Sequence, residues 1–354
     1  MIETTLRFRP GAKLGIQGQN SEVFFAADPQ LGDTLVVKQI ARSHLDIQRF
    51  EEAKVLYSVR HPHIVEILYS CSTEHHVYLA MPRYAGSLEA ILQRGPITVR
   101  DIVPLGTQFL SGLHHVHTRG LVHFDVKPSN VLIALNGSAA LGDFGMCKAL
   151  DVHGLATPDK IYEAHMPPEF LQSPSLSVAS DVYQAGLCLY RMCTGTQLWR
   201  EQLGFFVANL GSGWMAAIAA GQFPSRDLLP PHIPRRLRDI IARAIDVDPN
   251  RRYPTVLDLL NDLAKVDEHL DWQFKPTPGR WTWERESGVY LEHVALVLSG
   301  RQGPRGECLA DVVTSRVNRT SGKGRAPSGG AATGINANTP FAAIQTALRA
   351  FPDV

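Results

Sequence analysis

The sequence is poor in the features that mark secreted, membrane or nucleic-acid-binding chains. Its 354 residues include only 5 cysteines: Cys71, Cys147, Cys188, Cys193 and Cys308. They are odd in number, scattered, and lack the paired spacing of a metal site or a disulfide framework, which points to the reduced thiols of a cytoplasmic protein. Charge of either sign is not in excess: 35 basic residues face 34 acidic ones, a net +1. Bulk charge therefore draws no special partner. Long hydrophobic runs are missing as well. The longest near the C-terminus, Gly288 to Leu298, is broken by Glu292 and His293, so no stretch reaches the length needed to cross a bilayer. Met1 to Pro10 alternates polar and apolar residues and has no signal-peptide core. There is no internal repeat. What is present is 44% hydrophobic content, enough for one large domain with a sizeable core and a smaller appendage.

The informative stretch is His123-Phe-Asp-Val-Lys-Pro-Ser-Asn130. It puts a carboxylate (Asp125), an ammonium (Lys127) and an amide (Asn130) close together. An apolar, strand-like run Val131 to Ala134 follows, and then Gly142-Asp-Phe-Gly145. An acidic surface loop between two strands would explain either piece alone. In order, the two pieces resemble the catalytic and metal loops of protein kinases. Phosphoryl transfer needs positioning and charge neutralisation more than covalent help. The resemblance implies that Asp125 takes or orients the acceptor hydroxyl's proton and that Lys127 lies near the transferred phosphate. Asn130 and Asp143 would offer oxygens to Mg2+, a hard cation suited to carboxylate and amide ligands.

Further motifs fall in the family's order. Leu14-Gly-Ile-Gln-Gly18-Gln-Asn-Ser21-Glu-Val23-Phe-Phe25 resembles the glycine-rich loop over the ATP phosphates. The match is thin: Gly18 sits at a family glycine position, Ser21 replaces the third glycine, and Ile16 the first, with Gly15 one place off. Each side chain limits the close approach that glycine allows, and an ordinary hairpin is the competing reading. Leu35-Val-Val-Lys38 has the form of the strand that carries the phosphate-binding lysine, 15 residues after Val23. Phe50, Ala53, Leu56 and Val59 recur at helical spacing, which predicts a helix over 47–60. Glu52 on that helix, nine residues before His61, matches the family's partner for the lysine, with Glu51 as the alternative. Val77 to Met81 leads into Pro82-Arg-Tyr84 and resembles the hinge, with Met81 as gatekeeper. Adenine would be held by the carbonyl of Pro82 and the N–H of Tyr84. Leu132 is implied as a further nucleotide contact.

Ile102, Leu105, Phe109, Leu113 and Val116 predict a long amphipathic helix leading to the catalytic loop. His114, His115 and His117 lie on or beside it with no acidic or thiol partner nearby in sequence, so they read as packing residues. His123 resembles the family's structural histidine under Phe144. Phe124 departs from the family, which has arginine there to meet a phosphate on the activation segment. That segment, Asp143 to Glu169, contains Thr157 and Tyr162 but no basic cradle. Asp181 resembles the aspartate that braces the catalytic loop. The apolar stretch after it, up to Cys193, reads as a helix buried on all sides. Residues 196–230 have no legible local form. Leu237, Ile240, Ile241, Ala244 and Ile245 predict another amphipathic helix.

The resemblance covers about residues 8–270 and implies an α+β, bilobal protein-kinase-like fold: a β-rich N-lobe, a helical C-lobe, and a small C-terminal β-rich appendage. Residues 271–354 carry no motif. Trp281-Thr-Trp283, a Ser287-Gly288 turn and Val289 to Leu298 predict a hairpin, and Leu309 to Val317 a further strand. The Gly-, Ala-, Ser- and Asn-rich 319–338 stretch is expected to be a mobile loop, and Thr339-Pro340 to begin a short terminal helix. Arg316, Arg319, Lys323 and Arg325 have no acidic residue among them, a weak hint of nucleic acid against the plainer reading of a solvated basic loop. The main expectation is a cytoplasmic Ser/Thr protein kinase using ATP and Mg2+ on protein substrates, with no membrane partner. Lys127 and the following Pro-Ser-Asn favour Ser/Thr over Tyr specificity. A pseudokinase scaffold and a kinase of non-protein substrates are the alternatives.

Overall fold

The structure is a computed structural model and describes residues 7–14, 21–41, 59–277, 280–327 and 330–351. The chain divides into two compact units. The first comprises Met1–Glu89, Gln108–Ala185 and Pro254–Leu257, and the second Ala90–Thr107, Gly186–Tyr253 and Asp258–Val354. The glycine-loop residues Gly15 and Gly18, and Glu52 with its predicted helix, lie outside the described residues.

In the first unit, β1 (Arg9–Lys13), β2 (Ser21–Asp28), β3 (Asp33–Ala41), β4 (Tyr69–Ser72) and β5 (His76–Met81) form an antiparallel sheet in the order β1-β2-β3-β5-β4. The alternating direction of side chains along a strand sends Phe24, Ala26, Leu35, Val37 and Ala80 into one buried cluster. Register then fixes what surrounds Lys38: Val23 lies opposite it on β2 and Leu79 on β5. A smaller sheet of β6 (Gly86–Ser87), β8 (Val131–Ile133) and β9 (Ala139–Leu141) frames the catalytic stretch. The helical part begins with α1 (Leu88–Leu92) and α2 (Val99–Thr118), the predicted amphipathic helix. Gly112 on α2 permits a close approach: a Cβ there would stand 2.2 Å from the carbonyl oxygen of His63.

α3 (Ala179–Leu210) is buried at every position from Ser180 to Thr196, as its nearly all-apolar sequence up to Cys193 predicts. It breaks at Gly195, whose φ of 77° only glycine adopts without strain. The helix then resumes through residues whose form was not legible in the sequence. α4 (Met215–Ala219), α5 (Arg235–Ala244) and α6 (Val256–Leu263) complete the helices before the C-terminal sheet.

In the second unit, β11 (Gln273–Thr277), β12 (Arg280–Ser287), β13 (Tyr290–Gln302) and β14 (Cys308–Asn318) form an antiparallel meander, with β12 and β13 making the predicted hairpin. Two short strands, β15 (Gly324–Arg325) and β16 (Ala332–Asn336), pair with β14 within the stretch whose composition reads as a mobile loop. Composition registers side chains, whereas the ladder bonds come from the backbone. α7 (Phe341–Arg349) lays Ile344, Ala347 and Leu348 on this sheet, against Trp272, Trp283, Val294, Leu296 and Phe351.

The basic stretch finds acidic partners that its own segment lacks. Arg316 pairs with the buried Glu292, which also accepts from Arg285 Nε at 2.8 Å, and Arg319 donates to Glu286 at 2.6 Å. Arg316 and Arg319 are thus tied to neighbouring strands instead of forming a free basic patch.

The fold is α+β: a β-sheet N-terminal region, helices after it and a β-rich C-terminal region. Among the described residues no helix is long and apolar enough to cross a membrane. None of the five cysteines forms a disulfide.

Candidate active site

The site lies within the first unit and rests on a buried scaffold. Asp181, at the start of α3, has no exposed surface and accepts the backbone N–H groups of His123 and Phe124, each at 2.8 Å. Its second oxygen also receives His117 Nε2 at 2.7 Å. This corrects the reading of His117 as a residue without an acidic partner: the partner is 64 positions away in sequence and reaches it only through the fold. Gln184, one turn along α3 and therefore on the same face, accepts from Val126 N–H at 2.9 Å and donates to the Phe124 carbonyl at 3.1 Å. His165 Nδ1 donates to the Val126 carbonyl at 3.2 Å. Neither Gln184 nor His165 was singled out in the sequence. The helical spacing from Asp181 was the available signal for Gln184.

Such bracing is needed because the loop is strained. Phe124 has φ 62°, a left-handed value that bulky residues rarely adopt, and Asp143, a type that tolerates this region better, has φ 59°. Phe124 is completely buried with Val122, Ala156 and Leu176, and Met146, Leu150 and Ile161 pack around them. The backbone strain is over-determined by these contacts and by the Asp181 and Gln184 hydrogen bonds.

The polar side chains converge on this frame. Lys127 Nζ donates to both carboxylate oxygens of Asp125 at 2.8 Å. Asn130 Nδ2 donates to the Asp125 carboxylate and to its carbonyl, again at 2.8 Å. Across from them Lys38 Nζ donates to Asp143 Oδ1 at 2.9 Å. The Lys38 ammonium holds the Asp143 carboxyl well below the usual carboxylate range, against the opposing effect of burial. His123 is fully buried, and burial keeps its imidazole neutral by lowering its pKa. It accepts Asp125 N–H at Nδ1 and donates from Nε2 to the Gly142 carbonyl at 3.2 Å. Its ring meets Phe144 edge-on, centroids 4.8 Å apart, as the resemblance implied.

Val23 and Ser21 lie on β2 and Leu132 on β8. Met81 ends β5, followed by Pro82; Tyr84 is half-buried, and its hydroxyl accepts the Glu66 N–H at 3.4 Å. The structure therefore brings Lys38, Asp125, Lys127, Asn130 and Asp143 into one described unit.

The protein kinase domain family matches residues 8–263 of the chain, well over half its length. The chain belongs to the protein kinase family. Among its relatives, the probable serine/threonine-protein kinase PknB of Lactococcus lactis is 29% identical over 272 residues, covering 73% of this chain and 42% of that protein. The serine/threonine-protein kinase PrkC of Bacillus subtilis is 27% identical, covering 87% of this chain and 47% of that protein. PknD of Chlamydia abortus is 27% identical, covering 80% and 33%. This kinase chain thus spans less than half the length of these curated relatives, each of them described as a serine/threonine-protein kinase, the type that this chain resembles.

Proposed function

We propose that this kinase transfers the γ-phosphate of ATP to serine or threonine hydroxyls of proteins. The carrying observation is the double constellation of Asp125 held by Lys127 and Asn130, with Asp143 ion-paired to Lys38. Asp125 is the base that orients and deprotonates the acceptor hydroxyl. Its carboxylate is fixed by two donors and needs no reorganisation when the hydroxyl arrives. Lys127, held on that carboxylate, would neutralise the charge of the transferred phosphate. Lys38 would neutralise phosphate oxygens, with Glu52 the partner that the family resemblance implies for it.

The donor set fits magnesium: Asp143 offers carboxylate oxygens and Asn130 an amide oxygen, both hard ligands. Bound there, Mg2+ would neutralise charge on the β and γ phosphates. Gly15, Gly18, Ser21 and Val23 would cover the phosphates. Met81, the Pro82 carbonyl, Tyr84 N–H and Leu132 would frame the adenine. We assign this chemistry to residues 8–270, and 271–354 to a module that supplies none of it. Five cysteines with no disulfide among them support a reducing compartment, the cytoplasm.

The test is phosphate transfer from ATP and magnesium to a generic basic protein substrate, with product identity read by mass spectrometry. Lys38→Met, Asp125→Asn and Asp143→Ala are each expected to lower the rate by a factor on the order of a thousand or more. Wild-type protein no faster than Asp125→Asn would sink the enzyme reading and leave a pseudokinase. Phosphate found only on a small molecule would reassign the substrate.

A further inference from the structure

Tyr162 belongs to none of the roles above, yet its ring stands over the Lys127 ammonium, with 4.9 Å from Nζ to the ring centroid. That is cation–π distance, and the face of a tyrosine ring attracts a cation. Lys127 needs such a restraint. Its stem has four rotatable bonds, it is 22% exposed at the side chain, and its other partner is Asp125. Tyr162 itself is fixed from both sides. Ile161 before it packs against the buried Phe124 cluster. After it, His165 is buried, bonds the catalytic-loop carbonyl of Val126, and sits 5.8 Å from the Tyr162 ring, centroid to centroid. The His165 N–H also donates to the Tyr162 carbonyl at 2.9 Å. The phenol oxygen has no part in this arrangement; the ring face has.

We propose that Tyr162 is a positioning residue for phosphoryl transfer, its ring holding the Lys127 ammonium on the Asp125 carboxylate. This rests on the kinase reading. It couples the end of the activation segment to the catalytic loop through an aromatic face, so the order of that segment reaches the chemistry at Lys127.

In the full chain, Tyr162→Leu is expected to lower kcat about threefold to thirtyfold with KM for ATP little changed, and Tyr162→Phe, which keeps the ring, to restore kcat. In a Lys127→Ala background, adding Tyr162→Leu is expected to change nothing further, because the ring then has no ammonium to hold. A structural role would instead give additive losses in the double variant, and that result overturns the proposal. So does a Phe variant as impaired as Leu, or a Leu variant with wild-type kcat. A readout independent of turnover is the ε-methylene NMR signal of Lys127, assigned by its loss in Lys127→Arg. An upfield ring-current shift is expected in wild type and Tyr162→Phe and its disappearance in Tyr162→Leu. No such shift in wild type overturns the proposal even if the enzyme is active. Wild-type turnover equal to that of Asp125→Asn overturns the kinase reading and this proposal together.

Discussion

At the scale of single residues, charge pairing sets the state of the site. Asp143 has a depressed pKa because Lys38 stands 2.9 Å away. A carboxyl lowered on folding contributes stability that is present above its unfolded value, about 3.9, and is lost as pH falls through the lower folded value. The Lys38–Asp143 pair therefore persists through mildly acidic conditions. Lys38→Met removes the largest cause of the depression and leaves the smaller lowering effect of Lys127 against burial, which acts in the opposite direction. The expected outcome is an upward move of the Asp143 titration, read by carboxyl-carbon NMR of the labelled side chain. A midpoint unchanged in Lys38→Met would mean that Lys38 does not govern this carboxylate. His123 is neutral by burial and donates from Nε2 to the carbonyl just before Asp143, which links the two loops without adding charge.

At the scale of elements, the activation segment is held by packing and backbone bonds. β10 (Lys148–Ala149) pairs with β7 (Leu121–Val122), and Ala156 and Leu176 exchange two backbone bonds at 2.9 Å. Phe124 anchors the apolar cluster beneath. Of the cations near Thr157, Lys148 is bonded to Asp159 at 2.8 Å, and one exposed ion pair is worth at most about 1 kcal/mol. A phosphate on Thr157 would thus meet no arginine at position 124 and little else to order the segment. Thr157→Ala and Thr157→Glu are both expected to keep most of the transfer activity. Silencing by Ala with rescue by Glu would reveal a phosphate switch. Phe124→Ala should cost roughly 3–5 kcal/mol in stability, measured by denaturant unfolding, because it empties a fully buried aromatic site. Gly112→Ala on α2 would drive a methyl against the His63 carbonyl, which itself accepts the Leu141 N–H at 2.9 Å. A loss of about 1–3 kcal/mol is expected from overpacking, and an unchanged unfolding midpoint would mean that the helix shifts away freely.

At the scale of the molecule, the C-terminal sheet is joined to the helices of its own unit. Trp283, fully buried, donates from Nε1 to His232 Nδ1 at 3.0 Å. Asp271 forms a two-point pair with Arg100, and Gln273 donates to the Pro96 carbonyl at 2.9 Å. Arg238 lies over the Phe341 ring, 4.5 Å from its centroid. Truncation after residue 270 strips these partners and exposes His232, whose pKa burial now lowers to about 3. The residues that would perform the chemistry remain. A lowered melting temperature with phosphate transfer retained per folded molecule is the expected outcome. Loss of transfer from soluble, folded truncated protein would show that the segment takes part in the chemistry.

Much of this protein was legible in the sequence where chemistry or periodicity is local. The order Lys38, Asp125, Asn130, Asp143 identified the family, because phosphoryl transfer demands those groups and short loops carry most of them. Period-3.6 patterns identified α2 and α5, since each buries one face, the Ser287-Gly288 turn between its flanking runs marked the β12–β13 hairpin, and β3 was recognised by its resemblance to the lysine-bearing strand. The tertiary structure alone decided what depends on partners distant in the chain. Asp181 reaches His117, His165 reaches Val126, and Tyr162 reaches Lys127 across 35 to 64 positions, and no local pattern encodes such a pairing. The same holds for the strands of the 319–338 stretch. Their composition favours disorder, yet the unpaired backbone groups of β14 supply the bonds that order them, and only the folded sheet makes those groups available.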